Sequence, residues 1–418
     1  MRLRILWLKG SLRRILLTMR FYTLPRLLGK SATVDVYLAL NDPHSFMLIQ
    51  VLPEFEKRFK IKVNLYLIYE SVPGISIDAH LLRQWAIIDA NYIAGQYNLI
   101  KVKDFPGASS LITGQQSWQL KVKRLDDAID IFTRTWFGEF DEHYQQSTPI
   151  INFQVKNQQR LLSYGHYYPG TLFFCGEWFT GVDRLEHLER RLHIMALNKE
   201  PYQINYQKNL LSFIALNDNN IIVNPRVLEA FISLHSPYAY IGLLQAYKLC
   251  KHYGIPLKIK PLLPMMTKNS VANNKQRCIF LDAAREAKKL NIPLKSFSDP
   301  LIQGVANCYQ LFAFAEHKQV DFIYLKAMFE AIYVNNLDLS VSKNIELICK
   351  KIDLNYDEAL VYAESHDWQL WSDAHQIELD DAGLWGVPCF RYRDISCWGQ
   401  DRLVKIERAI CEDYQLVD

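Results

Sequence analysis

Two polar residues stand directly before a proline at the start of stretches with helix-like apolar spacing. Ser236 precedes Pro237 in LHSPYAYIGLLQAY, and Asp42 precedes Pro43 in LNDPHSFMLIQVL. Proline suits the first turn of a helix, where its missing N–H costs nothing. A helix N-terminus presents unpaired N–H groups and a partial positive charge, which both favour an anion such as a thiolate. Ser236 and Asp42 are therefore candidate functional residues.

A serine and an aspartate would act differently on such an anion. A serine hydroxyl can donate a hydrogen bond to a thiolate, and a thiol held there ionises more easily. The repulsion between a carboxylate and a thiolate roughly 4 Å apart is about 4 kcal/mol at a dielectric constant of about 20. This exceeds the stabilisation that the helix dipole gives to the thiolate. Ser236 is thus either a thiolate-binding residue or a simple N-cap, and Asp42 is predicted to be a cap. A protonated Asp42 acting as an acid would require burial, and His44 is interpreted as a half-exposed surface residue.

The neighbourhoods of these two residues form a repeat. With Asp42 placed over Ser236, an offset of 194 residues aligns VDVYLAL with LEAFISL. Farther along, IIDANYIAGQYNL aligns with FLDAAREAKKLNI. Near the end of each copy, YYPGTLFF aligns with GVPCFRY, which places Pro169 over Pro388, and GVDRL aligns with GQDRL. Each copy is typical of a strand, a helix, a strand, a helical block, a hairpin and a final helix.

This order predicts an α/β protein of two tandem thioredoxin-like domains, each with an inserted all-helical subdomain. A chain of 418 residues is long enough for two such cores. The predicted segments are a basic amphipathic N-terminal segment (1–30), a first, degenerate domain (31–200, helical insertion about 75–155), a connector (201–223) and a second domain (224–418, helical insertion about 274–381).

Charge and cysteine spacing exclude several classes of function. The net charge is +4, but Met1–Lys30 carries eight basic residues and no acidic one, which leaves −4 for the remainder. This distribution, without a nucleic-acid-binding motif, predicts no nucleic-acid partner. The eight cysteines include no Cys-X-X-Cys pair and no zinc-ligand spacing. We therefore predict no metal site and a cytoplasmic protein with reduced cysteines.

The basic N-terminal segment, MRLRILWLKGSLRRILLTMRFYTLPRLLGK, interleaves leucine and isoleucine with arginine. It lacks the unbroken apolar stretch of a signal peptide, and no apolar run has the length of a membrane span. The segment is either an amphipathic helix that contacts a membrane surface peripherally or a helix that docks on the protein with its arginines in water. Docking is the favoured interpretation.

The second copy also resembles the DsbA family, most closely its 2-hydroxychromene-2-carboxylate isomerase and kappa-class glutathione transferase branch. The resemblance rests on SPYAY, LPMMTKN, DAAREAKKLNIP, WGVPCF and WGQDRL, in that order, and covers residues 224–418 along nearly their full length. Residues 33–197 resemble the family mainly at their two ends.

Oxidoreductases of this family carry Cys-Pro-X-Cys at the start of the helix. The corresponding positions are Asp42 and Ser45 in the first copy, and Ser236 and Ala239 in the second. Thiol-disulfide exchange requires an attacking thiolate. Neither copy can therefore perform this exchange at the family's site.

The resemblance implies that the second copy binds glutathione. Ser236 would donate a hydrogen bond to its sulfur, and the peptide of Val387 would pair with its cysteinyl backbone beside a cis Pro388. The aligned hairpins predict a cis peptide bond at Pro169 as well.

Further contacts with glutathione follow from the same resemblance. Asp401 would hold the α-amino group of its glutamyl end, with Gln400 supplying neighbouring polar contacts, and helix capping is the alternative for Asp401. Asn269 and Lys275 would lie near the glycyl carboxylate. Cys389 is predicted to be a buried strand thiol.

The function that these features predict is that of a glutathione-dependent isomerase or transferase with glutathione as its cofactor. It would act on a small apolar or aromatic electrophile through the second copy, and the two copies would pair as an internal pseudo-dimer. The alternative is a non-catalytic tandem thioredoxin-like module that binds a peptide strand.

Overall fold

The structure is a computed structural model with two units. Each unit contains a mixed four-stranded sheet flanked by helices. One unit comprises the described residues up to Lys208 together with 273–278, and the other comprises the remaining described residues from Asn209 onwards. The structure describes residues 14–69, 79–140, 153–216, 226–263, 273–296 and 301–416.

The N-terminal unit has the element order predicted from the sequence. After a π-helical turn, Met19–Thr23, its elements are α1 (Leu24–Leu27), β1 (Thr33–Leu38), α2 (Pro43–Arg58), β2 (Lys62–Leu67), α3 (Ala79–Tyr97), α4 (Ala108–Lys121), α5 (Leu125–Phe137), α6 (Phe153–Ser163), β3 (Thr171–Phe174), β4 (Glu177–Thr180) and α7 (Leu185–Ile194). The sheet order is β2-β1-β3-β4, with β1 parallel to β2 and antiparallel to β3.

The C-terminal unit repeats this arrangement. Its elements are β5 (Leu228–Ile232), α8 (Pro237–Tyr253), β6 (Leu257–Pro261), α9 (Asn273–Lys289), α10 (Leu301–His317), α11 (Asp321–Tyr333), α12 (Ser342–Lys351), α13 (Tyr356–Ala363), α14 (Trp368–Asp381), β7 (Cys389–Tyr392), β8 (Ile395–Trp398) and α15 (Leu403–Asp413). The first residues of α9, 273–278, group with the N-terminal unit. The sheet order is β6-β5-β7-β8, again with one parallel and two antiparallel pairs. The predicted mixed α/β class is thus confirmed.

Apolar burial explains why α8 forms the centre of the C-terminal unit. Its sequence, PYAYIGLLQAYKLCKHY, places buried side chains on several faces of the helix, because it packs on β5 and on the helical block. The helix begins at Pro237 and ends at Gly254, whose φ of 65° allows the N–H to reach the Cys250 carbonyl. Both ends of the helix are therefore fixed by local sequence.

The strand registers identify which hairpin residues correspond in the two units. Thr171 pairs with Tyr37, and Cys389 pairs with Phe231. Tyr37 and Phe231 are themselves 194 positions apart, the offset of the repeat. Thr171 is therefore the counterpart of Cys389, and the residue that precedes Thr171, Gly170, is the counterpart of Pro388.

A second pair of hydrogen bonds supports this correspondence. The Gly170 carbonyl accepts from the Gly181 N–H at 2.7 Å, and the Pro388 carbonyl accepts from the Gly399 N–H at 2.8 Å. The alignment of Pro169 with Pro388 is consequently wrong by one residue. The sequence spacing indicates this difference of one residue, since Pro169 lies twelve residues before Gly181 whereas Pro388 lies eleven residues before Gly399.

A buried glutamate occupies the same position in the last helix of each unit. Glu189 on α7 accepts from the two successive N–H groups of residues 205–206, each at 3.0 Å. Glu407 on α15 accepts from the N–H groups of residues 212–213, each at 2.7 Å. Each carboxylate thus fixes, within its own unit, part of the chain between α7 and β5, a role that the sequence analysis did not predict.

The described part of the N-terminal segment lies against its own unit. The ring of Phe21 packs edge-on against Tyr164 and Phe173, with centroid distances of 5.6 and 5.1 Å. Arg14 Nε lies 2.7 Å from Glu177 Oε1, and Leu17 packs on the backbone of Gly176 in the turn between β3 and β4. Among the described residues, no helix combines the length and apolar character needed to cross a bilayer.

Candidate functional site

Ser236 lies where β5 ends and α8 begins. Its backbone is extended, so its hydroxyl oxygen accepts the N–H of Ala239 at 3.2 Å and caps the helix. The same hydroxyl donates to the carbonyl oxygen of Val387 at 3.4 Å. Ser236 is half-buried, and its hydroxyl faces the residue before Pro388.

The Val387–Pro388 peptide bond is cis, as predicted, and it is the only cis bond in the described ranges. The predicted cis bond at Pro169 is wrong. The physical reason is the one-residue difference in register, because Gly170, with a φ of 65°, stands where the C-terminal unit has its cis-proline. Val387 precedes β7, so its peptide groups lie outside the paired strand.

The first turns of α8 approach the cis-proline closely at Gly242. A Cβ atom at this position would lie 2.8 Å from Phe390 Cζ, 3.2 Å from Pro388 Cγ and 3.4 Å from Gln400 Cβ. Only glycine permits so close an approach of backbone to ring. The absence of a side chain at Gly242 therefore sets the distance between the helix and the loop, and the sequence analysis missed this residue.

Gln400 and Asp401 lie in the turn that leads into α15. The Gln400 amide donates to Asp401 Oδ1 at 3.2 Å, and both side chains are half-buried. The contact between Gln400 and the position of Gly242 places this turn beside Pro388. The structure thus gathers four of the predicted residues around the start of α8, namely Ser236, Val387, Pro388 and Gln400, with Asp401 adjacent to Gln400.

The strand order, the capped helix and the facing cis-proline belong to one continuous stretch of the chain. Residues 227–411 match the DSBA-like thioredoxin domain family. This stretch runs from the residue before β5 into α15 and contains every site residue named so far in the C-terminal unit. The match supports the DsbA resemblance predicted for the second copy, whereas its place in the 2-hydroxychromene-2-carboxylate isomerase and kappa-class glutathione transferase branch stays a prediction. The match does not include the residues up to Lys208, so the relationship of the N-terminal repeat to a DSBA-like domain stays a prediction.

Comparison with curated proteins found no match. Among solved structures, the chain is similar to a 2-hydroxychromene-2-carboxylate isomerase, with 18% identity, a TM-score of 0.40, and coverage of 46% of this chain and 100% of that chain. It is similar to the cytosolic disulfide reductase DsbM from Pseudomonas aeruginosa with GSH, with 15% identity, a TM-score of 0.37, and coverage of 46% and 100%. A probable DsbA oxidoreductase from Streptomyces coelicolor has 12% identity, a TM-score of 0.38, and coverage of 46% and 92%. The assignment of the DSBA-like domain depends on the family match and not on these three structures.

The described contacts do not test two further predicted ligand-binding residues, Asn269 and Lys275. Asn269 lies outside the described residues. Lys275 lies near the start of α9, in the part that groups with the N-terminal unit, and its ammonium nitrogen is 5.8 Å from the centroid of the Tyr167 ring. Burial lowers the pKa of Lys275 below that of a free lysine. The predicted roles of Asn269 and Lys275 toward glutathione stay predictions.

Asp42 occupies, in the N-terminal unit, the position that Ser236 has in the DSBA-like domain. Its carboxylate accepts from the Ser45 N–H at 2.8 Å and from the Ser45 hydroxyl at 2.6 Å, so the predicted role as a cap is confirmed. It is only 4% exposed, and Oδ2 lies 3.1 Å from the place where a Cβ on Gly170 would be. A buried carboxylate thus faces Gly170 where the other unit has a hydroxyl facing its cis-proline loop.

His44, which follows Pro43, is partly exposed, as predicted. Its Nε2 lies 3.2 Å from Asp89 Oδ2 on α3, and its Nδ1 lies 3.9 Å from Asp42 Oδ1. The imidazole therefore links the start of α2 to the helical block. Its described contacts join elements within the N-terminal unit.

A further polar contact links α8 to the helical block of the DSBA-like domain. The Tyr238 hydroxyl donates to Asp282 Oδ2 on α9 at 2.7 Å, and Arg285 lies 3.1 Å from Asp282 Oδ1. Tyr238 is only two residues after Ser236. No local sequence pattern connects Tyr238 with an acid 44 positions later.

Cys389, at the start of β7, is a buried thiol, as predicted. Its sulfur donates to the Gly386 carbonyl at 2.9 Å, and complete burial raises the pKa of its thiol well above the ordinary value. The thiolate is the reactive form of cysteine. Cys389 is therefore a structural residue rather than a redox group.

We expect Cys389 to resist alkylation in the native protein at neutral pH. Treatment with iodoacetamide, followed by peptide mass spectrometry, should label the half-buried Cys278 first and leave Cys389 unmodified until the protein is denatured. Labelling of native Cys389 at the rate of Cys278 would show an accessible thiol and would contradict its assignment as a buried structural residue.

Proposed function

We propose that the DSBA-like domain binds glutathione at the start of α8 and acts as a glutathione-dependent isomerase or transferase. The observation that carries the proposal is the position of one hydroxyl. Ser236 Oγ lies at the N-terminus of a 17-residue helix and also 3.4 Å from the carbonyl of Val387, beside cis Pro388. A thiolate at that point would meet a neutral donor and the positive end of a helix together.

The residues around this point suit a tripeptide with a thiol and charged ends. Val387 lies outside the strand ladder, so its peptide groups can pair with an added backbone segment. Asp401 supplies a carboxylate for an α-amino group, and Gln400 supplies an amide beside it. Glutathione has a group for each of these partners. When bound, it would supply the thiolate nucleophile that adds to an electrophilic carbon and can leave again.

The chain's own contribution is to position and ionise the thiol. The helix N-terminus and the Ser236 hydroxyl stabilise the thiolate relative to the thiol, which lowers the pKa of the thiol. The donor bond to Val387 is long at 3.4 Å, so the hydroxyl can turn from this carbonyl to a sulfur at little cost. Tyr238, held by Asp282, lies on the same turn of α8 and would border a small apolar or aromatic second substrate.

Calorimetric titration of reduced glutathione into the whole protein tests this proposal. We expect one binding site per chain, with heats that depend on the ionisation enthalpy of the buffer because the thiol releases a proton on binding. Oxidised glutathione and S-methylglutathione, which have no ionisable thiol, should bind more weakly. The absence of any binding of reduced glutathione would overturn the proposal.

A second candidate function is a non-catalytic tandem module that binds a peptide strand. The N-terminal unit favours it, because a carboxylate and a glycine replace the hydroxyl and the cis-proline there. We propose that this unit is a degenerate copy of the DSBA-like domain, given its identical strand order and pairing. A protein that binds an extended peptide through the edge beside Val387 but shows no affinity for glutathione would be such a module.

A further inference from the structure

The described part of the N-terminal segment, Arg14–Lys30, has two distinct faces. The inner face contacts the N-terminal unit through Leu17 and Phe21, and these residues recur at helical spacing. Thr18, between them, accepts a hydrogen bond from Arg191 at 2.8 Å, whereas Met19 and Arg20 are exposed. The exposed apolar side chains are Ile15 at 56%, Leu16 at 58%, Met19 at 46%, Leu24 at 53%, Leu27 at 77% and Leu28 at 76%.

Exposed basic side chains accompany these apolar ones. Arg20, Arg26 and Lys30 are exposed, and the sequence from Met1 to Lys30 contains no acidic residue. We call the exposed apolar residues together with these three cations the outer face. A patch that is both apolar and basic is unusual on a surface that contacts water alone.

We propose that the outer face docks on the surface of an anionic lipid bilayer. Leucine and methionine side chains can enter the boundary between headgroups and acyl chains, while arginine and lysine pair with anionic headgroups. The inner face is already packed on the protein, so the segment need not detach to expose its apolar side chains. The occupant must be negatively charged, because every charged residue of the outer face is basic.

Charge also argues against a second copy of this chain as the occupant. A two-fold dimer through the outer face would bring the same patch of each copy together. Arg20, Arg26 and Lys30 would then face their own counterparts without an acidic partner in the segment. Such a like-charge juxtaposition is unfavourable, whereas an anionic bilayer neutralises all three side chains. The proposal does not depend on the glutathione site.

Co-sedimentation with lipid vesicles tests the proposal on the full-length protein. We expect binding to vesicles of mixed phosphatidylcholine and phosphatidylserine that is at least about tenfold tighter than binding to pure phosphatidylcholine, and that weakens at high salt. The triple variant Arg20→Gln, Arg26→Gln, Lys30→Gln should lose roughly a hundredfold in affinity, from about fivefold for each charge near the surface. Leu27→Ser with Leu28→Ser should lose about tenfold or more.

Ile194→Ser is the matched control, because Ile194 is 75% exposed in the same unit but lies outside the segment. It should bind vesicles as the unchanged protein does, and all three variants should keep the same unfolding temperature because they alter exposed side chains. Equal binding by the control and the leucine variant would overturn the proposal. A second result would also overturn it. If the unchanged protein did not bind vesicles and formed a dimer in analytical ultracentrifugation that dissociates in the leucine variant, the outer face would join two copies of the chain.

Discussion

Replacing Ser236 with alanine is expected to raise the pKa of the bound glutathione thiol by about 1 to 2 and to weaken glutathione binding at neutral pH by roughly ten- to a hundredfold. The reason is the loss of a side-chain hydroxyl that lies at the start of α8 and also reaches Val387. A hydrogen bond to a charged partner contributes about 1.5–3 kcal/mol. Ultraviolet absorbance of the thiolate, followed against pH, gives the pKa, and calorimetry gives the affinity.

The direction of the pH dependence follows from this pKa. In the unchanged protein the bound thiol is expected to ionise at lower pH than free glutathione, so thiolate-dependent binding persists as the pH falls toward neutrality. In Ser236→Ala the loss of binding should set in at a higher pH. The affinity difference should be largest at a pH above the thiol pKa of both proteins and should shrink as the pH falls, because the hydrogen bond is made to the thiolate.

Asn355→Ala provides a matched control. Asn355 caps α13 by accepting from the N–H groups of Asp357 and Glu358, at 3.1 and 3.2 Å, and it is exposed. Both substitutions remove an N-cap and should lower the free energy of unfolding by about 1 kcal/mol. Only Ser236→Ala should change the thiol pKa. An unchanged pKa and affinity in Ser236→Ala would mean that Ser236 is a cap and nothing more.

Replacing Gly242 with alanine is expected to lower the free energy of unfolding by about 1–3 kcal/mol and to weaken glutathione binding by roughly tenfold or more. The added Cβ would lie 2.8 Å from Phe390 Cζ and 3.2 Å from Pro388 Cγ. The Phe390 ring is fully buried and the proline ring is fixed to the backbone, so α8 and the loop must move apart. Chemical denaturation measures the first effect, and calorimetry measures the second.

Gly95→Ala gives the comparison for this substitution. Gly95 lies within α3, and a Cβ there would have no neighbouring atom within 4 Å. Alanine is intrinsically better in a helix than glycine by about 1 kcal/mol, so Gly95→Ala should stabilise the protein slightly. If Gly242→Ala were equally stabilising and retained glutathione binding, the helix and the cis-proline loop would not be packed as the structure has them.

Both substitutions concern the same physical arrangement. A helix N-terminus is a general anion site, but it binds a particular anion only when neighbouring groups fix the ligand's orientation. In the DSBA-like domain the hydroxyl of Ser236 is adjacent to the cis-proline loop because Gly242 allows the helix to approach it. In the N-terminal unit Asp42 and Gly170 replace two of these components, and a carboxylate at the start of that helix would repel a thiolate.

The sequence by itself determined the secondary structure around the site. Asp42 and Ser236 begin their helices as predicted, because a short polar side chain before proline satisfies the free N–H groups of a helix start locally. The repeat predicted the same element order twice, since period-2 and period-3.6 apolar patterns encode strands and helices directly. The cis-proline at Pro388 followed from the family resemblance.

Only the tertiary structure decided which residues meet. The sequence alignment paired Pro169 with Pro388 because both are prolines. The hydrogen-bond register of β3 with β1 instead places Gly170 at the position that corresponds to Pro388. No local sequence pattern indicated the roles of Gly242 and Glu407. Gly242 acts through the absence of a side chain, and Glu407 accepts from N–H groups 194 or more positions away. Local sequence fixes backbone conformation within a few residues, whereas register and close approach depend on how distant segments pack.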